Sequence, residues 1–170
     1  PVFVRTDLSS AKHSGPRAYK LDDEDSAALL FRLLEDNELK FWIQRHGPKA
    51  ILVRYFLDLE ARFEAFHGLP VNKEFRFFSD GTRVICKHPY WPAAALEGHV
   101  DEDRFPNWRE DLGVLHVLDA DLSQMAIRAA AVQGGGTWSV DFAQDKSGAW
   151  YLIDMATAAE SYHWEGCDAI

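Results

Sequence analysis

Two short segments carry residue types able to hold a charged ligand: NKEFRFFSDGTRVICK, residues 72–87, and WSVDFAQDKSGAWYLIDMATA, residues 138–158. In the first, Asp80-Gly81 between two apolar-rich runs is the strongest short hairpin signal of the chain. A two-residue turn there pairs Ser79 with Thr82, which sets Glu74 opposite Lys87 and Arg76 opposite Ile85. Period-two alternation then gathers Glu74, Arg76, Phe78, Arg83, Ile85 and Lys87 on one face, leaving Phe75, Phe77, Val84 and Cys86 on a core face. An exposed Glu74–Lys87 cross-strand pair contributes only about 0.2–1 kcal/mol. The apolar neighbours of Arg76 and Lys87 argue instead for partial cover, and a buried cation without a partner is costly. Cations in that setting call for an anionic ligand.

The second segment reads as a hairpin with one aspartate in each strand. A tight turn at Lys146-Ser147, or a loop over residues 145–148, sets Ala143 opposite Trp150. Asp141 is then opposite Leu152 and diagonal to Asp154, so the two carboxylates share a face. The reverse face carries Trp138, Val140, Phe142, Tyr151, Ile153 and Met155. A loop with an odd number of residues would split the pair across the sheet. Two carboxylates on one face are either solvated acids at a sheet rim or the ligands of a cation between them. Mg²⁺ suits the second case, since it takes one or two carboxylates plus waters and substrate phosphates. Together, the cationic and acidic hairpins supply the two halves that a nucleotide polyphosphate needs.

The remaining elements must position these hairpins. Residues 2–6 alternate as a short strand, and residues 7–16 are loop-like. An acidic start at Asp22 leads through residues 27–34 and 39–43 to Arg45 and His46, which predicts a helix or helix pair aligned with its dipole. Residues 51–57 and 61–66 read as strands. Residues 88–106 read as a long irregular loop, and residues 108–132 as two helices meeting near Asp119 to Asp121. Hairpins dominate over regular βαβ alternation, which predicts an α+β fold with an antiparallel sheet.

Composition narrows the function classes. The chain has 170 residues, 47% hydrophobic and 26% charged, with a formal net charge of −9. That length buries a real core, and that charge argues against a nucleic-acid surface, which needs a positive field. There is no run of apolar residues long enough for a membrane span and no signal-like leader. Cys86 and Cys167 stand outside any CxxC pattern, which predicts reduced thiols in a cytoplasmic protein. The histidines lack zinc-ligand spacing, and Gly134 to Gly136 is a linker with no P-loop ending. Lys12 is outside the KxDG context of a covalent nucleotidyl ligase. The chain opens inside a strand-like run without a methionine, which reads as a protein with further residues upstream.

Taken in order, the strand-borne Arg5 or the loop-borne Lys12, then ILVRYFLDL, NKEFRFFSDGTRVICK and WSVDFA with WYLIDMA, resemble the ATP-grasp fold. The nearest flavours are the bacterial and phage clade named for two arginines and one lysine, and the eukaryotic cell-division-cycle family that assembles a translation initiation factor. The resemblance implies two lobes, residues 1–52 and 53–170, with antiparallel sheets and flanking helices, in which Arg5 or Lys12 sets a cation on the nucleotide phosphates. It implies that Arg54, Tyr55 and Phe56 belong to the hinge at the adenine edge, and that Glu74 and Arg76 form the acidic-x-Arg element. Lys87 would approach the transferring phosphate, and Asp141 and Asp154 would be the Mg²⁺ ligands. The implied activity is an ATP- and Mg²⁺-dependent ligase that activates a carboxylate as an acyl phosphate for attack by an amine. The alternative is an ATP-binding assembly protein on the same fold without small-molecule turnover. Two features depart from the family pattern. Ala156 stands where a further asparagine ligand is usual, with Glu160 or Ser161 as substitutes, and the chain reads as starting after the subdomain that normally precedes in the family. Two other segments keep two readings each. His88-Pro89-Tyr90-Trp91-Pro92 is a lid or an edge-packing loop, and Ser161-Tyr162-His163-Trp164 is an acceptor contact or terminal packing.

Overall fold

The computed structural model describes residues 1–6, 20–21 and 50–167. The helices expected between Asp22 and His46, and Lys12, lie outside the described residues. The fold is α+β, and the strand pairings within its sheets are antiparallel where the register is defined. The chain divides into two compact units, Pro1–Leu57 with Glu64–Leu69, and Asp58–Phe63 with Pro70–Ile170.

In the first unit, β1 (Val2–Thr6) lies between β2 (Lys20–Leu21) and β3 (Ile51–Tyr55). Phe3 is opposite both Lys20 and Arg54, and Arg5 is opposite Leu52. Residues opposed across antiparallel strands share a face, so Arg5, Lys20 and Arg54 project from one side of this sheet. Strands β4 (Ala61–Ala65) and β5 (Leu69–Asn72) pair as a two-stranded sheet.

The second unit is built on a four-stranded sheet with the order β7-β6-β8-β9: β6 (Glu74–Ser79), β7 (Val84–Pro89), β8 (Trp138–Gln144) and β9 (Trp150–Thr157). Between β7 and β8 come α1 (Ala93–Leu96), α2 (Trp108–Leu115) and α3 (Ser123–Val132). The two helices expected in residues 108–132 therefore form, with their break at residues 116–122. Phe75, Phe77, Val140 and Phe142 pack against Leu122, Ala126 and Ala130, which makes one sheet face the core against α3. Small alanines on α3 let it lie close to four aromatic or branched side chains. Phe77 and Phe142 meet edge to face at 5.6 Å, a favoured aromatic geometry. Trp108 of α2 packs 6.0 Å from Phe63.

The first hairpin departs from the expected register. Ser79 pairs with Val84, so the connection spans residues 80–83, and Ile85 is then skipped as a bulge before Phe78 meets Cys86. The Asp80 carboxylate accepts bonds from the Thr82 amide and hydroxyl and from the Arg83 amide, which holds its pKa down at about 2. Those bonds stabilise a longer loop than the two-residue turn. Gly81 has φ +84°, and a Cβ there would meet Ala131 of α3 at 3.0 Å. The helix thus passes over the turn. The added loop residues and the bulge together shift the pairing by an odd number of positions. Lys87 therefore sits opposite Phe77, and His88 opposite Arg76. The expected Glu74–Lys87 and Arg76–Ile85 pairings do not occur. Lys87 lies on the helix-packed face with its ammonium 5.6 Å from the Phe77 ring, while Cys86 moves to the face of Arg76.

In the second hairpin two deviations cancel. Gln144 pairs with Trp150, leaving an odd loop over residues 145–149, and a bulge at Ile153 restores the parity. Asp141 and Asp154 share a face as expected, and are directly opposed instead of diagonal. Ala143 faces Tyr151 instead of Trp150, so Trp150, not Tyr151, joins the core against α3.

The expectation of reduced thiols is also overturned. Cys86 and Cys167 are joined as a disulfide across a sequence separation of 81. The bridge forms because β7 turns Cys86 to the face over which the chain's last described residues return.

Candidate functional site

The register places four polar side chains in one row across the second unit's sheet: His88 on β7, Arg76 on β6, Asp141 on β8 and Asp154 on β9. Neighbouring members stand about 4.8 Å apart along the row, one strand spacing each. Arg76 and Asp141 form a bidentate pair, Nε to Oδ1 and Nη2 to Oδ2 both at 2.7 Å. Their side chains are only 11% and 5% exposed. Burial works against the Arg76 charge, but the hydrogen bonds and charge of Asp141 outweigh it and raise the guanidinium pKa. Arg76 also lies 4.7 Å from the Tyr90 ring, and its Nη1 donates to the Tyr162 carbonyl at 3.3 Å.

At the β9 end, the carboxylate of Asp154 accepts the Met155 amide at 3.0 Å. Two carboxylates directly opposed have Cβ atoms about 5 Å apart, close enough to share a cation. Each Asp141 oxygen gives one lone pair to Arg76 and retains another, so the pair fits a Mg²⁺ ion that takes its remaining ligands from water or phosphate. Among the described residues, no cluster of three or more His, Cys, Asp or Glu side chains is arranged for a metal. Ser161, one of the two substitutes considered for the missing asparagine, meets Ser139 at 2.7 Å, and Ser139 is opposite Ala156. Glu160 instead accepts from the Thr157 hydroxyl.

At the β7 end, His88 is 7% exposed. Its Nδ1 lies 2.7 Å from the Pro89 carbonyl, which can only accept, so Nδ1 carries the proton in the neutral ring and Nε2 presents a lone pair. The same logic fixes His163, whose Nε2 donates to the Ala158 carbonyl at 2.9 Å. His163 stacks on Phe78 at 4.0 Å, and Trp164 stacks on His88 at 5.4 Å. His88 Nε2, His163 Nδ1 and Trp164 Nε1 are buried without a hydrogen-bond partner among the described residues. Such atoms cost about 1–3 kcal/mol each. The two aromatic segments left with two readings each thus meet one another on the face of Arg76.

Burial pulls the His88 pKa below the ordinary 6.5, against the opposing Pro89 bond and with Arg76 adding to the drop. Burial likewise lowers His116, whose Nε2 lies 2.8 Å from the Trp91 carbonyl. Unfolding frees both rings to take protons below pH 6.5, so the unfolded state binds more protons there. Stability is expected to be flat above about pH 7 and to fall as the pH drops towards about 5.5. Urea midpoints across that range check this, and His88→Asn should flatten the slope.

The expected site residues separate into three groups. Arg76, Asp141 and Asp154 come together in the row. Glu74 shares their face, two positions along β6 from Arg76, and its carbonyl accepts the Tyr90 amide. Lys87 faces the other side. Arg5 and Arg54 share a face of the first unit's sheet, and the Arg54 guanidinium lies 5.0 Å from the Phe3 ring. Tyr55 is 88% exposed on the opposite face, and Phe56 is 5.4 Å from the Lys20 ammonium. The sequence carries His88 and His163 only within segments that keep two readings each, and it has no signal that singles out Lys20. His88 needed the true register, and the return of His163 has no local signal at all. A second charged cluster has no signal in the sequence: Asp119 accepts from Lys73, Gln144 and Trp150. It ties the connection between α2 and α3 to the ends of β8 and β9.

No family model matches the chain, and no curated protein matches it. Among solved structures, the chain is similar to an L-amino acid ligase from Bacillus licheniformis, at 13% identity and a TM-score of 0.45. It is also similar to N5-carboxyaminoimidazole synthetase from Staphylococcus aureus complexed with ADP, at 10% identity and a TM-score of 0.39. Each match covers 92% of this chain and 34% of the other, so the chain spans about a third of the length of these neighbours.

Proposed function

We propose that the row on the second unit's sheet is the metal- and phosphate-handling part of an ATP-dependent ligase of the ATP-grasp kind. In this reading a carboxylate substrate attacks the γ-phosphorus of ATP, ADP leaves, and an amine then displaces phosphate from the acyl phosphate. The observation that carries it is the direct opposition of Asp141 and Asp154, with Arg76 bound bidentately to Asp141. Two facing carboxylates and a fixed guanidinium match the demands of phosphoryl transfer, where positioning and electrostatics supply most of the catalysis. Mg²⁺ held by Asp141 and Asp154 would neutralise charge on the β- and γ-phosphate oxygens. Arg76 orients Asp141, and its own charge is available to the transferred group only in part. Lys87, on the opposite face, is not assigned to the site. Arg5 and Arg54 are assigned to phosphate and nucleotide contacts of the first unit.

A second reading, ATP binding in an assembly protein without turnover, is favoured by one observation. Arg76 gives two of its hydrogen bonds to Asp141 and one to the Tyr162 carbonyl, which leaves little of it for a reacting phosphate. Titration calorimetry of ATP with and without Mg²⁺ tests both. Asp154→Asn is expected to weaken Mg²⁺-dependent ATP binding about tenfold or more while leaving the fold intact, since it removes a charge and no core packing. Absence of binding at millimolar ATP would sink both readings. Phosphate release that requires an added carboxylate and amine would select the ligase.

A further inference from the structure

Residues 158–167 run back across the row. Ser161 bonds Ser139 on β8, the Tyr162 carbonyl accepts from Arg76, and His163 and Trp164 lie on Phe78 and His88. The segment then ends at Cys167, which is bonded to Cys86 on β7. Its start is anchored as the continuation of β9, and the disulfide ties its far end to the opposite edge of the same sheet. It therefore spans the sheet from edge to edge.

The contacts beneath it are uneven in quality. The Arg76 bond is long at 3.3 Å, and three buried nitrogens, His88 Nε2, His163 Nδ1 and Trp164 Nε1, go without partners. Water would satisfy all three if the segment lifted. The segment also packs on the fully buried Phe78, so its own contacts and the cross-link hold it closed together, and the unsatisfied nitrogens beneath it favour lifting once the cross-link is broken.

We propose that residues 158–167 form a redox-latched strap over the His88–Arg76–Asp141 part of the row. A disulfide oxidant closes it by taking two electrons and two protons from the thiols of Cys86 and Cys167, becoming a dithiol itself as their S–S bond forms. A dithiol reductant opens it by passing two electrons and two protons to the cysteine sulfurs, becoming a disulfide itself and leaving Cys86 and Cys167 as thiols. The closed form belongs to oxidising surroundings, and the open form to surroundings that keep thiols reduced. The proposal stands on the geometry of the second unit and does not depend on ATP chemistry.

The test compares the air-oxidised full chain with the same protein treated with dithiothreitol. Thiol titration under denaturing conditions should find no free thiol before treatment and both after it. In the reduced protein, amide exchange over residues 161–166 and modification of His88 by diethylpyrocarbonate should each rise about tenfold or more. Exchange over residues 138–144, in the core strand β8, should not change. Cys167→Ser should behave like the reduced protein without any reductant. Free thiols in the oxidised protein would overturn the proposal. So would equal His88 reactivity in the two forms, or a rise over residues 138–144 that matches the rise over the strap.

Discussion

Arg76→Met is expected to lower the unfolding free energy by about 3–5 kcal/mol, the cost of leaving one charge of a buried pair without its partner. The side chains are 11% and 5% exposed, so water cannot take over the role of the guanidinium around Asp141. The loss combines the desolvated Asp141 carboxylate with two hydrogen bonds of 2.7 Å. The double variant Arg76→Met with Asp141→Leu should recover most of it, since buried ion pairs contribute little net stability against well-packed apolar replacements. Urea unfolding of the two single variants and the double variant measures the coupling directly. Additive losses would show that the two groups do not meet in the folded protein.

The second large effect belongs to the other face of the same sheet. Phe142→Ala is expected to destabilise by about 3–5 kcal/mol through lost apolar burial and the cavity left behind. Phe142 is fully buried between Phe77 and the alanine-lined side of α3. The effect should appear in thermal and urea unfolding, with strap exchange and Cys86–Cys167 pairing unchanged below the transition. Because Phe142 and Asp141 are adjacent in sequence and point to opposite faces, the two variants together separate the stability of the core from that of the row.

In the expected register Ile85 stands opposite Arg76 and Lys87 shares its face; in the folded protein His88 takes the place opposite Arg76 and Lys87 faces the other side. Asp80-Gly81 marked a turn correctly, but its length depended on the Asp80 bonds to Thr82 and Arg83 and on the passage of α3 over Gly81. With Ile85 skipped as well, the register moved by an odd number, and period-two alternation carried Lys87 to the wrong side. In the second hairpin two such departures occur and cancel. Asp141 and Asp154 kept their common face because the odd loop was offset by the Ile153 bulge.

By itself, the sequence determined what local chemistry controls. That includes the α+β class, strands β1, β3 and β4, the two hairpins of the second unit's sheet, and the helices flanking residues 116–122, but not β2 or β5. It also includes an aromatic core face holding Phe75, Phe77, Val140 and Phe142. These follow from alternation, turn residues and side-chain apolarity, all expressed within a few neighbouring residues. Tertiary structure decided which polar residue stands beside Arg76, that Asp141 pairs with it, and that Cys86 meets Cys167. Those outcomes depend on loop hydrogen bonds, a helix lying over a turn and a chain end returning across the sheet. One residue of slip there reverses every side chain, so only the folded register could bring His88, Arg76, Asp141 and Asp154 into line.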